Sequence, residues 1–410
     1  MLIASSVMPA SRNAVRKSPH AVAAPLADAE EVGRAIAHSL EQVVRAPAAR
    51  AYGATALSTR LKFSRVLISR VLNALKNEEP LETLQLLPGP ESLRTFVNGM
   101  GRLGVAATRV KAALRAIDRF DALIRDGFGT RGKLNAAICS HAPSMRIRQE
   151  LASRQRIFAG MRELRGAEAE AWLAAHMLAP DRDDPTKLNT RILQGFAGLR
   201  PLRSDIAVHF DFTLAESPRD AMETPDCTGG LEEFYANPPA PLVCTEIAGR
   251  TVSTLAPGRI GKDSVCDMLS LTRMRGALPR LARSPGRRTG SFALIKLPVK
   301  MLLLDIVLPA ELLAGTEPEL FVFTPGPRAC TNVNDRIDDL DRIEVPERIE
   351  VLESGADRFE IPAVPNYRRM LEKMASELGQ NLDAMRMHRL RVAYPPFGYE
   401  FVSTFRLRSE

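Results

Sequence analysis

The chain has 410 residues, 45% of them hydrophobic and 25% charged, with a formal net charge of +8. That length suits two or three domains with a sizeable core, and the proportions are ordinary for a soluble globular protein. No apolar run approaches the roughly 18 residues a membrane span needs, and the nearest, from Met301 to Leu304, is broken by Asp305. Cys139, Cys227, Cys244, Cys266 and Cys330 form no C-x-x-C pair, which argues against a disulfide framework or a zinc finger. The expectation is a cytoplasmic protein with reduced thiols, no membrane partner, no metal and no cofactor.

Residues 1–27 contain no Asp or Glu and carry Arg12, Arg16 and Lys17 among Ser and Ala. A transit peptide has that composition, but a disordered basic tail adding non-specific phosphate contacts fits better. Val32, Ile36, Leu40 and Val43 then recur at helical spacing, which predicts a first helix over residues 28–45, ended by Pro47. Residues 55–73, TALSTRLKFSRVLISRVLN, read as two short helices joined by a tight turn. Leu57 and Leu61 share one face of the first; Ile68, Val71, Leu72 and Leu75 share one face of the second. Ser64 stands where an N-cap is needed, because its hydroxyl can accept the unpaired amide hydrogens of the second helix. That helix carries Arg65, Arg70 and Lys76, with Ser69 and Asn73 away from the core side. A helix of this kind can set its N-terminal residues against base edges while the first helix crosses the backbone.

The run from Ser64 to Asn73 resembles the recognition helix of bacterial helix-turn-helix repressors, the LacI-like ones included. Ser58 matches the small residue of their first helix, and Ile68 to Asn73 matches a V-S-R-V-x-N run. Two departures stand out: Lys62 holds the turn position where Gly is usual, and Val66 and Leu67 are apolar where polar base-reading groups are common. The resemblance covers about twenty residues and implies a DNA-binding module within residues 28–100, not a full-length family. It implies that Arg65 and Arg70 reach guanine or phosphate, Ser69 and Asn73 reach phosphate or adenine, and Val66 meets a thymine methyl. Arg60 and Lys62 would fix the register on phosphates.

The charge distribution supports a polyanion partner independently. Residues 1–165 hold 26 Lys and Arg against 13 Asp and Glu, a net of +13, while residues 166–410 hold 30 against 35, a net of −5. Beyond Pro80 and the break at residues 87–90, with Pro90 placed for a helix start, long helices are predicted over residues 105–126 and 143–165. Gly127 and Gly129 end the first of these, and the helical pattern continues over residues 167–178. These middle helices, residues 101–200, either pack onto the DNA-binding module or pair with a second subunit. A homodimer on double-stranded DNA is expected, because two half-sites give a usable specificity ratio.

From residue 204 the period changes to two, with Ile206, Val208, Phe210, Phe212 and Leu214 on alternate positions. Further strands are predicted over residues 242–247, 291–297, 301–307, 319–323 and 348–352, and a helix capped by Asn366 over residues 367–378. Residues 388–394 and 399–407 alternate as the arms of a hairpin turning at Pro395 and Pro396. The fold class is therefore α+β and multidomain: an all-α N-terminal module and helical region, then an α+β domain over residues 201–410.

That last domain is expected to sense a small-molecule effector or to oligomerise. A basic stretch without acids between Met268 and Leu304 contains Arg283, Arg287 and Arg288, a candidate anion or effector site; a solvated loop has the same composition. Catalytic motifs are lacking. Residues 258–264 fail the phosphate-loop pattern, since Ala256 holds the first Gly position and Asp263 follows Lys262. His209 and Asp211 share a strand face without a third ligand. The chain is read as a non-enzymatic transcriptional regulator; an enzyme with its site in residues 200–410, or an interaction adaptor, are the alternatives.

Overall fold

The structure is a computed structural model. It describes residues 20–50, 54–61, 63–141, 143–205, 208–211, 230–247, 250–255, 260–282, 287–312, 317–324, 331, 333–335, 338–353 and 355–407. The chain forms two compact units, divided between Gln149 and Glu150, and its class is α+β.

The N-terminal unit is helical. Its longest helix, α1 (His20–Val44), buries Leu26, Ala29, Val32, Ile36, Leu40 and Val43 at three- and four-residue spacing. It begins at His20, inside the stretch expected to be a disordered tail; residues 1–19 lie outside the described residues. After the short α2 (Pro47–Arg50) come α3 (Ala54–Leu61), α4 (Arg65–Ala74), α5 (Pro80–Leu86), α6 (Pro90–Arg102) and α7 (Ala107–Ala122). α5 and α6 each start on a proline, whose missing N–H lies where no intrahelical bond is required. α7 runs on into a π-helical turn at Leu123–Phe128 that Gly129 ends with φ 77°. α8 (Arg131–His141) follows, and the division between the units falls within α9 (Pro143–Arg165). The core unites Leu57, Ile68 and Val71 with Leu93, Phe96 and Val97 of α6 and Ile117 and Phe120 of α7.

Two glycines permit close approach. A Cβ on Gly33 of α1 would lie 2.5 Å from the Pro80 carbonyl oxygen, and one on Gly99 of α6 would lie 2.9 Å from Leu61 Cδ2. Gly33 lets α5 sit against α1, and Gly99 lets α3 sit against α6.

The C-terminal unit is built on β-sheet. One six-stranded sheet runs in the order β10 (Glu350–Leu352), β11 (Met385–Ala393), β8 (Val299–Pro309), β1 (Ala167–Pro180), β2 (Lys187–Pro201) and β6 (Cys266–Pro279). β1 and β8 are parallel and the other pairs antiparallel. Helix α10 (Tyr367–Glu377) covers one face, packing Tyr367, Met370, Leu371 and Met374 on Leu173, Met177, Leu303, Val307 and Met387. A three-stranded sheet, β7 (Arg288–Leu294), β12 (Glu400–Arg406) and β9 (Glu319–Phe323), covers the other, with Phe401, Ala293 and Val322 against Leu302, Leu304 and Leu390. A third small sheet joins β3 (Val208–Asp211), β5 (Arg250–Leu255) and β4 (Leu242–Ile247).

Several expectations are corrected here. Residues 167–178 are strand β1, not helix, so the helical middle region stops at Arg165 instead of running to residue 200. β1 lies between two strands with both faces covered, so it is apolar almost throughout and lacks the alternation that marks a half-exposed strand. β1 joins β2 through a tight turn in which Asp181 Oδ1 accepts from the amides of Asp183 and Asp184 at 2.7 and 3.0 Å. β11 and β12 are not hairpin partners: β11 pairs with β8 and β10, β12 with β7 and β9. Asn366 does stand before α10, but in the left-handed region at φ 63°, and its side chain makes no cap bond. Its Nδ2 donates instead to the Phe234 carbonyl at 3.1 Å. Of the strand expected from residue 204, β3 is described; Ile206, Phe212 and Leu214 lie outside the described residues.

Candidate nucleic-acid interface

Helix α4 is held by both ends and by one face. At its start Phe63 donates its amide to the Ser58 carbonyl at 3.1 Å, and Ser58 Oγ donates to the Phe63 carbonyl at 2.7 Å, which ties the connection back onto α3. Ser64 occupies the N-cap position with φ −56° and ψ 124°, but its hydroxyl makes no cap bond, contrary to the expectation. Its carbonyl accepts the amides of Leu67 and Ile68 at 3.0 and 3.2 Å, so the helix opens on backbone bonds alone. At the other end Asn77 Nδ2 donates to the carbonyls of Asn73 and Ala74 at 3.0 and 3.1 Å, satisfying groups that the last turn leaves open. Thr83 Oγ1, buried, also donates to Ala74 at 3.3 Å. Ile68, Val71 and Ala74 are buried.

With that face fixed, the opposite face is set by geometry. At about 100° per residue, Arg65, Ser69, Asn73, Val66 and Arg70 fall in that order within an arc of roughly 140°. Arg65, Val66, Arg70 and Asn73 are exposed and Ser69 is half-buried. Val66 is 70% exposed, which places a small apolar contact on an otherwise polar surface. Arg60 is exposed on α3 and Ser64 at the α4 start, while Lys62 lies outside the described residues. Seven of the eight positions expected to meet DNA are thus described, and five share the outward face of α4.

One neighbouring group escaped the sequence reading. Arg131, the first residue of α8, directs Nη2 at the Leu84 carbonyl and at those of Gln85 and Leu87, 3.2 and 3.3 Å away, closing the C-terminal end of α5. Its guanidinium lies over the Phe120 ring, 4.7 Å from the centroid. Nη1 is buried with no hydrogen-bond partner among the described residues. Burial, and then the positive charge of Arg70, push the Arg131 pKa down to about 10. No sequence signal links Arg131 to residues 84–87; the packing of α8 on α5 does.

Of the three arginines of the candidate anion site in the C-terminal unit, Arg287 and Arg288 are described. Arg288 is committed to Glu319, with Nε and Nη2 at 3.1 and 2.9 Å from Oε2, and stacks over Phe321 at 5.0 Å. Arg406 takes the other oxygen of Glu319 at 2.6 Å. Arg287 is exposed, and Arg283 lies outside the described residues. His209 Nδ1 bonds Thr254 Oγ1 at 2.9 Å, and Ser264 Oγ donates to the Gly261 carbonyl at 2.7 Å, so these weak motifs are used locally. Among the described residues no group of His, Cys, Asp or Glu fits a metal ion, and no helix is long and apolar enough to cross a membrane.

No protein-family model matches the chain, and no curated protein does. A solved structure from Parabacteroides distasonis, described provisionally as a protease, is 10% identical with a TM-score of 0.25. The match covers 58% of this chain and 40% of that one. So distant a likeness carries no argument about fold or activity.

Proposed function

We propose that the protein is a sequence-specific DNA-binding transcriptional regulator, cytoplasmic and homodimeric, with α4 as its recognition helix. The observation that carries this reading is the outward arc of Arg65, Val66, Ser69, Arg70 and Asn73, opposite buried Ile68, Val71 and Ala74. It combines bidentate donors for guanine or phosphate, an amide suited to adenine and an aliphatic contact suited to a thymine methyl. Arg60 and Lys62 flank it as phosphate contacts, and Ser64 opens the segment that enters the major groove. In this reading the C-terminal unit senses an effector or oligomerises, and it has no catalytic role.

The test is fluorescence anisotropy of the full chain on duplexes from its own upstream region and on random duplex, across a salt series. Selective binding that falls steeply with salt and is lost in Arg65→Ala supports the reading. Removing a base-reading arginine should cost about 1–3 kcal/mol and relax specificity at one position. Equal weak binding to all duplexes, unchanged by Arg65→Ala, would overturn it.

A further inference from the structure

Strand β7 is an edge of the three-stranded sheet, with β12 as its neighbour. The two run antiparallel in unbroken register, Gly290 opposite Thr404 and Phe292 opposite Val402. In such a ladder, residues that bond the neighbour alternate with residues whose N–H and C=O point away from it. Arg288 fixes the phase. Its amide donates to Asn334 Oδ1 at 2.9 Å and its carbonyl accepts from Asn334 Nδ2 at 3.1 Å, so its backbone faces the outer side. By the same alternation Gly290, Phe292 and Leu294 face outward too. Gly290 and Phe292 are exposed and make no hydrogen bond on that side among the described residues.

Comparable edges of this unit are covered. On β9, the other edge of the same sheet, the Val322 carbonyl accepts from Ile343 at 2.7 Å. On β6, Tyr235 Oη donates to the Leu269 carbonyl at 2.9 Å and accepts the Leu269 amide at 3.2 Å. Beyond Arg288, β7 has no such cover among the described residues. Its sequence does not guard it either: residues 289–294, TGSFAL, hold neither a charge nor a proline, the usual protections of a free edge. Ala293 packs towards the six-stranded sheet, so Phe292 lies on the opposite face, where it is 38% exposed.

Two copies of this edge complement each other. Set antiparallel about Ser291, they place Gly290 of each copy opposite Phe292 of the other, and the outward N–H and C=O groups of both residues are paired. Each phenylalanine ring then lies over a position without a side chain, a favourable cross-strand arrangement. That notch is built into the sheet, because a Cβ on Gly290 would come 2.2 Å from the Ser403 carbonyl oxygen of β12. Sliding the pair towards Arg288 would set Phe292 against backbone groups that Asn334 already holds. Sliding it the other way would oppose the two phenylalanines and leave Gly290 facing Leu294.

We infer that β7 is a dimer interface whose partner is the same strand of a second copy, the two three-stranded sheets joining into one. The inference names the interface of the homodimer in the proposed function, rests on that part of it, and requires no DNA.

The experiment is sedimentation velocity of the full chain over a concentration series without DNA, with hydrogen exchange resolved to single amides over the same series. Both are repeated with Phe292→Lys, which puts a charge on the edge, and Phe292→Tyr, which keeps the ring; circular dichroism checks folding. The expected result is a dimer whose dissociation constant rises roughly tenfold or more in Phe292→Lys and changes little in Phe292→Tyr. The amides of Gly290 and Phe292 should gain protection as the dimer forms, while Leu294, opposite an Arg288 held by Asn334, should gain none. A dimer that Phe292→Lys leaves intact, or that leaves those two amides unprotected, would overturn the inference and leave the homodimer standing. Protection of Leu294 in step with the other two would overturn the pairing about Ser291. Wild-type protein that stays monomeric throughout would overturn both the inference and the homodimer, with Arg65→Ala in the anisotropy assay still deciding the recognition helix.

Discussion

Asp305 of β8 and Arg389 of β11 face each other in register across the central sheet, 0% and 2% exposed. Arg389 Nη2 lies 2.8 Å from Asp305 Oδ2, Tyr367 Oη donates to the same oxygen at 2.7 Å, and Arg389 also reaches the Phe359 carbonyl at 3.1 Å. Such a network fixes how α10 seats on the sheet, because any shift leaves a buried charge unserved. Arg389→Met should cost about 3–5 kcal/mol, whereas Asp305→Leu combined with Arg389→Met should recover most of that loss. Urea unfolding of the three proteins decides the matter; equal losses in single and double variants would mean the pair itself stabilises the fold. A second buried group acts through pH. His388 is 1% exposed, and burial, reinforced by Arg386 and opposed by Glu353, lowers its pKa from 6.5 to about 4. The unfolded chain takes up this proton below about pH 6.5 and the folded protein does not until about pH 4. Its contribution is thus complete above pH 6.5 and is lost as pH falls towards 4, amounting to about 3 kcal/mol. Denaturant unfolding at pH 7.5 and 4.5 should show a smaller drop for His388→Gln than for the unchanged protein.

At the scale of the element, Gly33 offers a test in which two effects oppose. In an exposed helix, glycine to alanine stabilises by up to about 1 kcal/mol. Here the new methyl would meet the Pro80 carbonyl at 2.5 Å, backbone that cannot swing aside. Gly33→Ala should therefore destabilise by about 1–3 kcal/mol and lower the melting temperature; a rise would show that α5 can retreat from α1. Elements packed on one face were legible in the sequence for a simple reason: their periodicity survives. Val32, Ile36, Leu40 and Val43 mark α1, and β4 and β9 span residues 242–247 and 319–323 as expected. β1 was illegible because Ala171, Ala174 and Ala175 satisfy helical spacing as well as a doubly covered strand, and its neighbours in the sheet decide. The outward face of α4 could be read from its own spacing. The place of Arg131 could not, because its partners Leu84, Gln85 and Leu87 lie 44 to 47 positions away.

Across the whole molecule, the structural division sharpens the charge asymmetry into one between units. Residues 1–149 hold 22 Lys and Arg against 11 Asp and Glu, a net of +11, and residues 150–410 hold 34 against 37, a net of −3. The excess positive charge is thus carried by the helical unit, which is where the candidate surface lies. The β-sheet unit is tied together differently, by pairings between residues far apart in sequence: Ala171 with Met301, Leu303 with Arg391, Thr404 with Glu319.

The departure of β11 and β12 into separate sheets has a consequence for synthesis. Tyr394, at φ 48°, donates its amide to the Lys300 carbonyl at 2.7 Å and turns the chain from one sheet to the other. Until residues 385–407 leave the ribosome, β8 lacks its antiparallel neighbour, and β7 and β9 have no strand between them. The helical unit can be finished long before, while the sheet unit waits with open edges, the state most prone to stray pairing. Nascent chains arrested before residue 385 should accordingly hold a protected helical unit and a protease-sensitive remainder, with protection of the remainder arriving in one step once both strands are out.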